Sequence, residues 1–439
     1  MKKNEFLVFL FEKLNRDLPN YFVIGEFESL PESTGNSDLD IIVYDYTKKN
    51  INEYLFKIFS NFELQILSFY TNESGLFYRI SGNDKNDYWG LQLDVLYKAF
   101  NYHTVTYYPS KALQSFVLKH NDINVLRKDK AYFIGFLKEI IHKGWAKDKY
   151  KNEFFNTLKQ DGLNTKKTLE QYCGKKFTNY IFDNIVVLEK LNDYSKLRHV
   201  LLQSLKNYRA NTLYLMMIRL KNIKRMFKHP GYSIVFLGTD GSGKSTIINK
   251  VKPILLQSFH NSVYYEHLRP NFIPSIAKLL GKTESFDGPV TDPHAKAPSG
   301  FLGSIFRWSY YMLDYTFGYW LKVFPKRSFK SCVWIFDRYY YDYRIDKRRT
   351  RVNLPDCMLR FGQAIIPEPD IIICLGTDAE KIYSRKPELE LKEVERQVYA
   401  LKDFCAKHKR AHWVDTGGTI EKSVSNTMKI IVAQMSKKK

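Results

Sequence analysis

Short apolar runs bounded by turn residues mark the first part of the chain. Tyr21–Gly25 (YFVIG), Leu39–Tyr44 (LDIIVY) and Leu91–Leu96 (LQLDVL) have the length and flanks of strands, behind a leading helical pattern. Further on, apolar positions recur near a 3.6-residue period with little strand character, most clearly over Lys196–Lys206 and Asn211–Lys228. His229-Pro230-Gly231 is a stop-and-turn signal. Beyond it, Ser233–Leu237, Val263–His267, Cys332–Asp337, Asp370–Leu375 and His412–Asp415 are apolar runs separated by helical patterns. Strands that alternate with helices predict a parallel, doubly wound α/β sheet, because each crossover helix covers a face of it. The pattern predicts three regions: an α+β domain over 1–108, a helical connecting region over 109–230, and the α/β domain over 231–439.

Composition changes this picture in one respect. A hydrophobic fraction of 44% suits folded domains, but the formal net charge of +22 is large. Such a surface attracts nucleotides, phosphorylated molecules, nucleic acid or anionic lipid. The first twenty residues carry charges through their apolar run, unlike a secretory signal. No run of about 18 apolar residues occurs; Ser309–Phe324 comes nearest, and Asp314 and Lys322 interrupt it. The cysteines at 173, 332, 357, 374 and 405 show no C-x-x-C spacing and read as reduced thiols of a cytoplasmic protein.

The strongest chemical signal is Phe236–Lys250, FLGTDGSGKSTIINK. Gly238, Gly243, Lys244 and Ser245 satisfy G-x-x-x-x-G-K-[ST] between an apolar strand and a helix. In that context the backbone N–H groups of Gly238–Thr246 (Thr239, Gly241 and Ser242 included) turn around phosphate oxygens. Lys244 reaches the outer phosphates of ATP, and the Ser245 hydroxyl ligates Mg²⁺. No N-K-x-D element for a guanine base follows in the third region. The strand VWIFD ends in Asp337, then Arg338 and three tyrosines. A carboxylate at a strand end beside such a loop can hold Mg²⁺, and Arg338 can clamp an anionic acceptor or the transferring phosphoryl group. The bland alternatives are a plain ion pair for Arg338 and packing for the tyrosines.

These residues resemble the thymidylate kinase family of P-loop nucleoside monophosphate kinases, over roughly 231–439. The resemblance implies that Asp240 faces the acceptor, that Arg338 binds the acceptor phosphate, and that Arg385 and Lys386 belong to a lid, with Arg396 one helix on. It also implies a dimer, unless the preceding regions cover that surface. Where the family carries Arg-Glu-Pro-Gly, this chain reads Glu266-His267-Leu268-Arg269-Pro270, and a long insertion follows over Ile273–Gly303. The acceptor is therefore left open between dTMP and a sugar phosphate, since the pattern also resembles thymidylate kinase-like proteins found with bacterial surface-polysaccharide genes.

In the first region, GEFESLPESTGNSDLDI spans Gly25–Ile41. Asp38 and Asp40 share one face of a strand, and Asp94 offers a third carboxylate from a neighbouring strand. Three such carboxylates can hold two Mg²⁺ ions for nucleotidyl transfer. The stretch resembles the nucleotidyltransferase fold, with Glu26 where that family places Ser or Gly. Either the transfer is active, or the fold is kept and the activity lost.

From Tyr194 to Thr239 there is no Asp or Glu, while Lys and Arg recur. The bland reading is a packed helix whose Leu213, Met216, Met217 and Leu220 face a core. The sharper readings are contact with nucleic acid or an anionic membrane, and the aromatic–basic stretch Phe306–Lys326 points to the membrane. Taken together, the chain reads as an ATP- and Mg²⁺-dependent phosphotransferase for a small phosphorylated acceptor, carrying a nucleotidyltransferase-like domain that is active or degenerate. A nucleic-acid 5′-hydroxyl kinase with a nucleotidyltransferase, and an ATP-driven switch, are the rivals.

Overall fold

In the computed structural model the chain divides into two compact units, Met1–Gly82 with Leu91–Lys221, and Asn83–Gly90 with Asn222–Lys439. The structure describes residues 1–35, 37–72, 74–97, 99–103, 105–205, 212–279 and 299–437. Most of the insertion expected over Ile273–Gly303, with its Thr291–Gly300 run and His294, lies outside the described residues.

The first unit is built on a mixed sheet. Its strands are β1 (Tyr21–Ile24), β2 (Leu39–Val43), β3 (Gln65–Thr71), β4 (Gly75–Asp84), β5 (Asp87–Tyr97), β6 (Ala99–Tyr102), β7 (Val105–Pro109), β8 (Val117–His120) and β9 (Ile123–Leu126). Seven of them run in the order β3-β4-β5-β2-β1-β9-β8, and β6 pairs with β7. The helix Lys3–Asp17 buries Phe6, Leu7, Leu10, Phe11 and Leu14, the one-sided spacing of an amphipathic helix.

The middle region departs from expectation. It carries β8 and β9, and β9 pairs in parallel with β1. The helices from Lys128 to Ser204 share one core with Phe22, Ile42 and Phe100, so no break falls at 108. Four-residue strands such as INVL are too short to show an alternating pattern, which is why the sequence reads this stretch as helical only.

The second unit follows its expected pattern. β10 (Tyr232–Leu237), β11 (Val263–His267), β12 (Val333–Asp337), β13 (Ile371–Gly376) and β14 (Ala411–Asp415) form one sheet in the order β11-β12-β10-β13-β14. Every pairing is parallel. β10, β12 and β13 are buried on both faces, as continuous Ile/Val/Phe runs require. This mixed α/β unit with a central parallel sheet is compatible with a P-loop kinase-like fold.

The helix Thr212–Phe227 corrects another expectation. Met216, Met217 and Leu220 are exposed rather than packed. The side chain of Leu213 lies outside the described residues.

Candidate functional site

β10 leads directly into the phosphate loop. Gly238 has no room for a side chain: a Cβ there would lie 2.5 Å from Ser242 Oγ and 2.6 Å from the Leu375 carbonyl. Gly243 adopts φ +87° and opens the helix Lys244–Ser258, which anchors itself through Ile247, Ile248, Val251 and Leu255. Loop and helix N-terminus thus form a concave backbone surface that favours anions.

Lys244 is buried and donates to the carbonyls of Gly238 (2.7 Å) and Thr239 (2.9 Å). Burial and the neighbouring Arg338 pull its pKa down to about 8, against Asp240 and Asp337. Ser245 and Thr246 are exposed on the same turn. Asp240 is held by Arg338 at 2.6 Å and by Arg349, with Lys244 at 3.9 Å. Burial alone would raise its pKa, but Arg338, Lys244 and Arg349 outweigh burial and hold it well below the carboxylate range. Arg338 also binds Asp342 at 2.8 Å and sits at φ +71°, a left-handed conformation unusual for a side chain of this size.

The parallel register sets His267 of β11 beside Asp337 of β12. Tyr265 Oη donates to Asp337 Oδ2 at 3.1 Å, and His267 Nδ1 lies 4.0 Å from the same oxygen. Burial lowers the pKa of His267 although Asp337 opposes it. Three buried polar atoms here, Thr239 Oγ1, Ser242 Oγ and Asp337 Oδ1, have no hydrogen-bond partner among the described residues. Buried polar atoms normally find partners, so this set points to a polar ligand. Beside the loop lies a cavity of about 310 Å³, lined by Gly243, Thr246, Arg385, Thr416, Gly418 and Ile420. Arg385 donates to the Thr416 carbonyl at 2.8 Å.

In the first unit, β2 and β5 pair in parallel with Asp40 opposite Asp94. Asp38 lies two residues before Asp40 and therefore shares its face. One carboxylate oxygen from each of the three lies within 4.8 Å of the others. Burial first, then Asp38 and Asp94, push the Asp40 carboxyl up to about 7, against Lys138 and Arg79. Asp94 shifts the same way, by burial, although Arg79 binds it at 2.8 Å. Gln92 bridges the cluster, donating to Asp38 (3.0 Å) and Asp94 (3.3 Å). Glu26 accepts from Ser37 and lies 3.6 Å from Lys149, so its charge is offset locally.

No protein-family model and no curated protein matches this chain. Among solved structures it is similar to the thymidylate kinase of Ehrlichia chaffeensis at 16% identity and a TM-score of 0.32, over 46% of this chain and 98% of that one.

The geometry thus gathers Asp240, Lys244, Asp337 and Arg338 at one loop, and Asp38, Asp40 and Asp94 at one strand pair. Lys386 acts electrostatically on Asp240 while pairing with Glu388 at 2.9 Å. Arg396 instead binds Glu393 and the Ile345 carbonyl. Tyr339, Tyr340 and Tyr341 are buried packing residues. Sequence reasoning assigned no role to Tyr265, His267, Arg349, Arg79 or Gln92. Aligning the ends of β11 and β12 as parallel neighbours would have found His267, and Gln92 shares the face of Asp94 by its two-residue spacing.

Proposed function

We propose that the second unit is an ATP-dependent phosphotransferase of nucleoside monophosphate kinase type, acting on a small phosphorylated acceptor: dTMP or a sugar phosphate. The observation that carries this is the phosphate loop with its unpartnered Thr239, Ser242 and Asp337 atoms, set between a buried strand and a helix N-terminus. The acceptor oxygen would bond to the γ-phosphorus of ATP as the bond to the β–γ bridging oxygen breaks and ADP leaves. Lys244 would exchange its two backbone carbonyls for phosphate oxygens. Ser245 and Asp337 would hold Mg²⁺, which supplies charge neutralisation at the phosphates. Arg338 and Arg349, now shared with Asp240, would turn to the acceptor's phosphate. The cavity beside Gly243 and Arg385 has the position for the nucleoside. ADP release from Mg-ATP against dTMP, other nucleoside monophosphates, hexose and heptose phosphates and a 5′-hydroxyl oligonucleotide tests this, with Lys244→Ala as the blank. Stimulation by a phosphorylated small molecule is expected. Stimulation by the oligonucleotide alone overturns the acceptor class, and equal rates for Lys244→Ala overturn the kinase itself.

A second reading rests on a separate observation, the Asp38–Asp40–Asp94 cluster. These carboxylates would hold divalent cations for nucleotidyl transfer in the first unit. Pyrophosphate release from nucleoside triphosphates, abolished by Asp38→Asn, is the expected result; release unchanged in that variant overturns it.

A further inference from the structure

Helical turns run without interruption from Phe301 to Lys330, as Phe301–Leu313, a wider π-type stretch Asp314–Val323, and Phe324–Lys330. One side is built into the unit. Asp314 is wholly buried, binds Arg269, and accepts from the backbone N–H groups of Asn271, Phe272 and Ile273. Gly318 lets that loop approach closely: a Cβ there would lie 2.6 Å from Asp314 Oδ1 and 2.8 Å from Phe272 Cβ.

The other side is exposed among the described residues. Leu302, Phe306, Leu313, Phe317, Trp320 and Leu321 are between 50% and 80% exposed. Leu302, Phe306 and Leu313 share one helical stripe by spacings of four and seven residues, and Phe317, Trp320 and Leu321 continue the exposed side through the wider stretch. Soluble surfaces scatter such residues singly, so a continuous stripe marks an interaction surface. Its far end opens into a groove of about 470 Å³, lined by Phe272, Leu321 and Phe329 and by Lys326 and Lys330, with Lys322 turned to Glu266 and the Pro270 carbonyl. Between Phe301 and Lys330 the sole carboxylate is the buried Asp314. The neighbouring Glu266 is neutralised by Lys322 at 2.6 Å.

We propose that this face binds the surface of an anionic phospholipid membrane, with the stripe entering the headgroup–acyl boundary and the lysine-rimmed groove taking a lipid phosphate. The chemistry of the face selects this occupant. Aromatic and aliphatic side chains together with lysines, and no exposed carboxylate, are the composition of an interfacial helix. Lysine stems lie along apolar surface while their ammonium groups reach phosphates. A second copy of the chain docked symmetrically on this face would set lysines against lysines with no exposed carboxylate of the Phe301–Lys330 segment to receive them.

Co-sedimentation of the full chain with vesicles tests the proposal, using phosphatidylcholine alone and phosphatidylcholine with about 30% phosphatidylglycerol. The expected result is pelleting with the anionic vesicles only, weakened at high salt. In Phe317→Ser/Trp320→Ser binding should fall by roughly tenfold or more, since two interfacial aromatic anchors are lost. Circular dichroism melts establish that this variant folds. Lys330→Glu, on the exposed rim, provides an independent reading and should also weaken binding to anionic vesicles. Four outcomes overturn the proposal: no pelleting with anionic vesicles, equal pelleting with neutral ones, pelleting unchanged in both variants, or a doubled mass in light scattering that collapses in Phe317→Ser/Trp320→Ser without any vesicle binding. The last would assign the face to a second copy.

Discussion

Each unit contains a cluster of largely sheltered aspartates, and the two behave in opposite ways. In the first unit, burial and neighbouring carboxylates push Asp40 up to about 7. In the second, Arg338, Lys244 and Arg349 outweigh burial and hold Asp240 far below the carboxylate range. The residue type is the same and both positions are sheltered from water, so the neighbours decide. Three carboxylates facing Arg79 and Lys138 leave a deficit of positive charge that a divalent cation can fill. At Asp240 two arginines and a lysine converge on one carboxylate and keep it ionised, with Arg338 shared with Asp342 and Lys244 also facing Asp337, and these are cations that a phosphate can draw on. The two clusters therefore differ in the sign of the charge that their neighbours press on an aspartate, and that difference is testable without knowing either substrate.

The largest effect should come from Lys244→Ala. It removes the cation at the centre of the loop, and Mg-ATP affinity or turnover should fall on the order of a hundredfold or more. Isothermal titration and ADP release measure this, and unchanged nucleotide affinity would erase the contrast between the units. Next is Arg79→Met, which strips Asp94 of its only close ion-pair partner among the described residues. Leaving a buried carboxylate alone should cost about 3 kcal/mol in denaturant unfolding, and added Mg²⁺ or Mn²⁺ should restore part of the loss. Restoration by monovalent salt to the same degree would argue against a cation site.

Asp40→Asn should act in the reverse direction. Burial pushes the Asp40 carboxyl up to about 7 in the folded protein, above the usual carboxylate range, so the folded state holds an extra proton between that range and about 7. Its stabilising contribution is fully present below about pH 4 and is lost as pH rises through about 7. At pH 8 without divalent cations, Asp40→Asn should therefore be more stable than the parent. It should also lose the thermal shift that Mg²⁺ or Mn²⁺ gives the parent. Thermal melts at pH 5 and pH 8 separate the two, and equal melting at both pH values would break the comparison. The smallest effect belongs to Arg349→Gln. Arg349 is partly exposed and Arg338 remains on Asp240, so stability should change by less than about 1 kcal/mol. Acceptor KM should rise more than kcat falls; the opposite split would remove Arg349 from the acceptor side.

Local pattern made the second unit readable. β10 covers the apolar run Ser233–Leu237, because a strand buried in a parallel sheet is a continuous apolar run between turn signals. The loop was equally plain, since Gly238, Gly243 and Lys244 are required by backbone geometry within a few residues of each other. The cluster Asp38–Asp40–Asp94 was found from strand periodicity alone. Arg79 was not, because it meets Asp94 from another strand through long-range sheet register, which no short window contains. Arg349 was hidden likewise: it lies 109 residues from Asp240 along the chain, in a four-residue helix. The exposed Met216, Met217 and Leu220 show the converse failure, since amphipathic spacing says which residues share a face but not whether anything covers that face.

The left-handed backbone at Arg338 has a consequence for how this protein can vary. Along a strand, successive side chains face opposite ways, so adjacent residues cannot ordinarily serve one cleft. The kink after β12 breaks that alternation at the one place where Asp337 and Arg338 both reach the loop's charges. The order of the dipeptide is therefore a matter of handedness as well as charge. Its first member must end a strand, and its second must tolerate a backbone that most side chains avoid. Drift at either position is judged twice, once by the chemistry and once by the chain's own chirality, which leaves this corner few neutral neighbours in sequence space.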